Sequence, residues 1–251
     1  MKRDESCLLE FLLELNQMAF RYLLEIKSGK KNTTGKLIFP SYSTSHRKGE
    51  ERISEQELRF AYTTVLERSG IFQPYFYSVE TPTEETYAFS KGALSARSAV
   101  SDLSLYEKTN DPSDPITYTK VCNIECKALN PSDESIRKDI EKLVKEKENC
   151  AWGHLLINQD KGTLEGLFRK FISAFSSELK MFPEDQISSD KAYFFAICIL
   201  GDRLLLTRKI EPEEIRKDLL NIFSIDYVQL KEAKTGRQDI NGWQVELFPE
   251  L

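Results

Sequence analysis

The sequence predicts an α/β fold: a central mixed β-sheet flanked by helices, with an added N-terminal helix and added C-terminal strands. Two observations carry this. Apolar runs of strand length, at 99–106, 121–128, 153–158 and 192–200, alternate with apolar stripes at helical spacing, at 54–69, 133–147 and 164–175. One of these strands also bears an acid and a lysine on the same side. Side chains alternate faces along a strand, so Glu125 and Lys127 point one way with Val121 and Asn123, while Ile124, Cys126 and Ala128 point the other. Such charges on a buried strand are costly unless paired, solvated or used.

The elements follow in order. Residues 7–26 form a wide apolar helical face, interrupted by Glu10, Glu14, Arg21 and Glu25 and followed by no small-residue cleavage site. This predicts an amphipathic helix rather than a signal peptide. Its face suits burial on the core, with a homodimer interface as the other use. Residues 29–52 are a polar loop with one apolar island, Leu37, Ile38 and Phe39. Ser54 and Glu57 make a capping box, Gly70 a stop, and Leu58, Ala61, Tyr62 and Val65 the stripe of a helix over 54–69. The strand at 99–106 carries one acid, Asp102. Residues 107–115 are a turn-rich connection, in which Asp111 and Asp114 are turn residues.

After the strand of Glu125 comes a charged helix over 133–147 with Ile136, Ile140, Leu143 and Val144 inward, then the strand at 153–158 and a helix at 164–175. The strand at 192–200 turns at Gly201 and Asp202 into a partner over 203–210. Pro212 opens a helix. Residues 227–230 and 243–248 are expected to be short final strands. The 251 residues suit one domain, divided into an N-terminal helix and loop (1–52), a core (53–175) and a C-terminal α/β extension (176–251).

Composition excludes several classes. No apolar run reaches membrane-spanning length. Five cysteines without paired spacing predict free thiols and a reducing cytoplasm. Two distant histidines, His46 and His154, leave a histidine-metal nuclease or a Ser-His-Asp hydrolase without its parts, and His154 is expected to be a packed strand residue. No Gly-rich phosphate loop is present. The net charge of −5 is not that of a typical nucleic-acid binder. Basic residues nevertheless cluster at Lys27, Lys30, Lys31, Lys36, Arg47, Lys48 and Arg52, and at Arg203, Arg208 and Lys209. Either group could follow a phosphate backbone or simply be solvated surface.

Asp102, then twenty-two residues, then Glu125-x-Lys127, resembles the bipartite signature of the PD-(D/E)xK nuclease superfamily, the restriction-endonuclease-like phosphodiesterases. Ser101 stands where that family often has proline. The resemblance implies a restriction-endonuclease-like core and a metal-dependent nuclease. Asp102 and Glu125 would hold Mg²⁺ or Mn²⁺, with the Cys126 backbone carbonyl as a further ligand. Lys127 would sit beside the attacking water, and Glu57 would be a further acid from the preceding helix. The bland role for Glu57 is the capping box alone. Glu55 is the weaker candidate, being further round the helix. The implied partner is nucleic acid, with DNA the expected target. Two other readings stay open: a catalytically inactive member of the fold that binds nucleic acid or protein, and an unrelated α/β protein with a surface Glu–Lys pair. Clustered negative charge further predicts that removing Asp102 leaves the metal-free protein at least as stable.

Overall fold

The computed structural model describes residues 5–29, 36–43, 48–68, 75–88, 97–108, 117–181 and 191–250. Helices α1 (Glu5–Ser28) and α2 (Glu55–Arg68) precede strands β1 (Tyr75–Tyr87), β2 (Arg97–Lys108) and β3 (Tyr118–Ala128). Then come α3 (Asp133–Lys145), β4 (Asn149–Leu156), α4 (Lys161–Met181), β5 (Tyr193–Ile199) and β6 (Leu204–Ile210). The chain ends with the short helices α5 (Pro212–Lys217), α6 (Leu219–Ile222) and α7 (Tyr227–Lys231), and strands β7 (Gly236–Ile240) and β8 (Trp243–Leu247).

These strands form one eight-stranded mixed sheet in the order β1-β2-β3-β4-β5-β6-β8-β7. The centre, β3-β4-β5, is parallel, and the flanks are antiparallel. Parallel strands need crossovers, and α3 and α4 supply them. Both helices pack on one face, where Ile136, Ile140, Phe171 and Phe175 meet Trp152, Phe195 and Ile197. On the other face α1 and α2 bury Leu12, Phe20, Leu58 and Tyr62 against Leu103, Ile124 and Cys198. With both faces covered, β4 and β5 are almost uniformly apolar and buried. The apolar face of α1 is turned into this core.

One close approach fixes where α2 sits. A Cβ on Gly153 of β4 would stand 2.5 Å from the Tyr62 hydroxyl. That hydroxyl donates to Asn16 Oδ1 of α1 at 2.6 Å, so only glycine lets the three elements meet. At the other end of the sheet, Glu146 accepts from the Glu84 and Glu85 amides and from the Tyr87 hydroxyl, pinning the foot of β1 to the end of α3. The buried Lys191 ammonium donates to the carbonyls of Leu143, Val144 and Glu146 and so caps the C-terminus of α3.

One element went unread in the sequence, and two expectations need correction. Residues 75–87 form a thirteen-residue edge strand that the pattern did not reveal. Residues 227–230 are helical, because the Asp226 carboxylate caps the Val228 and Gln229 amides. Val121 does not share the Glu125 face: the ladder slips between Leu105 and Tyr106, and Val121 packs with the α1/α2 core. Gly70, Asp111 and Asp114 lie outside the described residues, as do His46, Lys30, Lys31 and Arg47. The five cysteines are free, and four of them are buried. Among the described residues no helix is long and apolar enough to cross a membrane.

Candidate functional site

The site lies where two strands part. β2 and β3 pair antiparallel from Lys108↔Tyr118 up to Leu103↔Ile124, and the ladder then ends. β2 goes on with β1 as far as Arg97↔Tyr87, whereas β3 goes on with β4 as far as Ala128↔Leu155. The next residues into this fork are Asp102 on one arm and Glu125 on the other. Asp102 Oδ2 accepts the Cys126 N–H at 2.7 Å, replacing a lost ladder bond, and Arg59 of α2 stands 3.7 Å from Oδ1.

Glu125 is fully buried. Its Oε2 lies 2.7 Å from Lys142 Nζ of α3, an ion contact, and both carboxyl oxygens are buried with no hydrogen-bond partner. Burial pushes the carboxyl up to about 8 against the pull of Lys142, and Asp139 and Asp102 add to the rise. Lys127 Nζ lies 2.6 Å from Asp139 Oδ2 and 3.5 Å from Glu55 Oε2, and it donates to the Cys126 carbonyl at 3.3 Å. Burial works against the Lys127 charge, but Asp139, Glu55 and Asp102 outweigh it and raise the pKa. Asp139 also reaches Lys142 through Oδ1 at 3.0 Å, an i,i+3 pair on one side of α3.

Next to Lys127 on β4 is its register partner His154, fully buried. The Trp152 indole donates to Nδ1 at 3.4 Å, so Nε2 carries the proton and donates to the Leu129 carbonyl at 2.9 Å. Burial pulls the imidazole down to about 4 and keeps it neutral. Leu129 has a positive φ of 58°, so His154 braces the strained residue that follows β3, two positions past Lys127.

The fold thus brings Asp102, Glu125 and Lys127 together. It leaves Glu57 apart: Oε2 accepts from the Ser54 amide at 2.7 Å and hydroxyl at 2.5 Å, and Oε1 lies 3.8 Å from Arg52. Two residues are more than half a helical turn, so Glu55, not Glu57, faces Lys127. Asp139, Lys142 and Arg59 were missed by sequence reasoning. The available signal was the i,i+3 spacing of Asp139 and Lys142 beside the apolar stripe of α3. Asp102 also carries a structural bond, so deleting it strands a buried amide, which costs about 1–3 kcal/mol. This works against the expectation of unchanged stability.

The residues present suit a hard divalent cation. Glu125 supplies a buried oxygen that lacks a partner, and Asp102 and the Cys126 carbonyl supply oxygens of the type Mg²⁺ and Mn²⁺ take. Among the described residues, however, no three His, Cys, Asp or Glu side chains converge to hold a metal by themselves. Protein cations already stand beside the acids. The second basic cluster is committed elsewhere: Arg208 donates to the Ile222 and Asn241 carbonyls, Lys209 pairs with Glu211 and Arg203 with Glu250. In the first cluster, Lys27 pairs with Glu51 and Arg52 with Glu57.

Comparison with protein-family models, with curated proteins and with solved structures gives no match to this chain.

Proposed function

We propose that this chain is a metal-dependent nuclease that hydrolyses phosphodiester bonds of nucleic acid, DNA being the expected target, on a restriction-endonuclease-like core. One observation supports this above others. Asp102 of β2 and the buried Glu125 of β3 come next after the last β2–β3 pair, Leu103↔Ile124, at the mouth of the fork, with Lys127 two residues further along β3.

Asp102, Glu125 and the Cys126 carbonyl would hold Mg²⁺ or Mn²⁺, which when bound neutralises phosphoryl charge and acidifies a water. Lys127 remains cationic at neutral pH and places an ammonium where an attacking water and a developing negative charge need one. Glu55 and Asp139 grip that ammonium from α2 and α3 and fix its direction. Glu57 belongs to the start of α2 rather than to this chemistry.

A second reading is favoured by one specific observation. Arg59, Lys142 and Lys127 already face Asp102, Asp139 and Glu55, and burial pushes Glu125 towards its neutral form, so the cluster is close to charge balance without any metal. On that reading the chain is a catalytically inactive binder of nucleic acid or protein.

The deciding experiment is nicking of plasmid and of single-stranded DNA and RNA, with Mg²⁺ or Mn²⁺ and with chelator. Wild type is compared with Lys127→Ala and Asp102→Asn. Asparagine keeps an oxygen for the Cys126 amide while removing the charge. The nuclease reading expects metal-dependent cleavage lost in both folded variants. Cleavage unchanged in both sinks it, and no cleavage by wild type favours the inactive binder.

A further inference from the structure

We propose that Lys142 is a tethered counter-cation that occupies part of the divalent-metal position in the metal-free protein and so sets how tightly the metal binds. This rests on the metal-site reading above and adds a control to it.

The argument begins with what the ammonium touches. Lys142 Nζ lies 2.7 Å from Glu125 Oε2 on β3 and 3.0 Å from Asp139 Oδ1 on α3, and it donates to the Val100 carbonyl on β2 at 2.9 Å. It therefore gathers oxygens from both arms of the fork and from the covering helix. Its side chain is only 8% exposed, so water does little to screen these contacts. Lys127 makes no such contact with Glu125: its ammonium is taken by Asp139 Oδ2, Glu55 and the Cys126 carbonyl.

A divalent cation on Glu125 and an ammonium 2.7 Å from the same carboxylate repel each other. Both cannot hold their best positions. Both oxygens of Glu125 are buried without a hydrogen-bond partner, Oε2 having only the ion contact, so the ammonium satisfies the acid only in part and leaves a stronger cation something to gain. Lys142 also has a place to go. Asp139 is three residues away on the same helix, so the ammonium can release Glu125 and keep one carboxylate. Metal entry then becomes an exchange of one cation for another.

The test is direct Mn²⁺ binding to the full chain, followed by the electron paramagnetic resonance of free Mn²⁺, for wild type, Lys142→Met and Lys142→Arg. The expected result, taken on the alkaline plateau where Glu125 is ionised in every variant, is Mn²⁺ binding roughly tenfold or more tighter in Lys142→Met, with Lys142→Arg no tighter than wild type. Equal or weaker binding in a folded Lys142→Met overturns the role of Lys142 while leaving the metal site standing. Absence of binding in both wild type and Lys142→Met removes the metal site and this inference with it. Should Lys142→Met fail to fold, lysine acylation of the wild type read by mass spectrometry decides. Lys142 should be protected without Mn²⁺ and acylated faster with it. Unchanged labelling in metal-bound protein overturns the exchange.

Discussion

Two titrating residues carry opposite pH signatures. Glu125 has a folded-state pKa near 8, above its ordinary value of 4.5, so between those values the native state holds more protons than the unfolded chain. Its contribution to stability therefore falls as pH rises from about 5 to 8. The melting temperature of metal-free Glu125→Gln should gain on that of wild type across this range, and a constant difference would show that Glu125 does not titrate there. Metal binding needs the carboxylate, so Mn²⁺ affinity should rise over the same interval, with proton release seen by calorimetry in buffers of different ionisation enthalpy. His154 has the reverse sign. Its folded pKa near 4 lies below the ordinary 6.5, so the native state loses stability as pH falls from 6.5 towards 4. His154→Gln should flatten that acid limb in a melting profile taken against wild type. At this scale the sequence showed Glu125, Lys127 and Asp102, because strand alternation assigns faces without a structure. Asp139 and Lys142 were not legible, because which flank of α3 overlies the fork depends on the crossing of helix and sheet.

Among the elements, α2 separates a cap from a site. Glu57→Gln should lower stability by about 1 kcal/mol through the weakened start of the helix and leave metal-dependent cleavage intact. Glu55→Gln should do the reverse, loosening Lys127 at little cost in melting temperature because Glu55 is partly exposed. Cleavage lost in Glu57→Gln but kept in Glu55→Gln would reverse the two assignments. Gly153→Ala should cost about 1–3 kcal/mol in chemical denaturation, since the added methyl has no space beneath Tyr62. The long helices and buried strands were visible in the sequence because their periodicity is enforced by burial. β1 was not. It is an edge strand with most of its residues exposed or half-exposed and with Pro82 inside it, so it lacks the alternation that marks a half-buried strand. At 227–231, Tyr227 and Val228 suggested a strand, and a single side-chain cap at Asp226 overrode them.

For the molecule as a whole, the layered arrangement follows from the order of elements that the sequence displayed, and both faces of the sheet are closed by helices. Divergence of β2 from β3 was not written in either strand alone. It arises because β2 stays with β1, whose foot is held by Glu146, while β3 is committed to its parallel partner β4. The bond between Asp102 and the Cys126 amide crosses this gap, and it gives the protein a built-in gauge of its own opening. A single backbone hydrogen, exchanging slowly with deuterium while the carboxylate holds it and quickly once the arms spread, reports how often the fork opens in solution. Cation, nucleic acid or partner chain could each be added in turn, and the lifetime of that one hydrogen would say which of them draws the arms together.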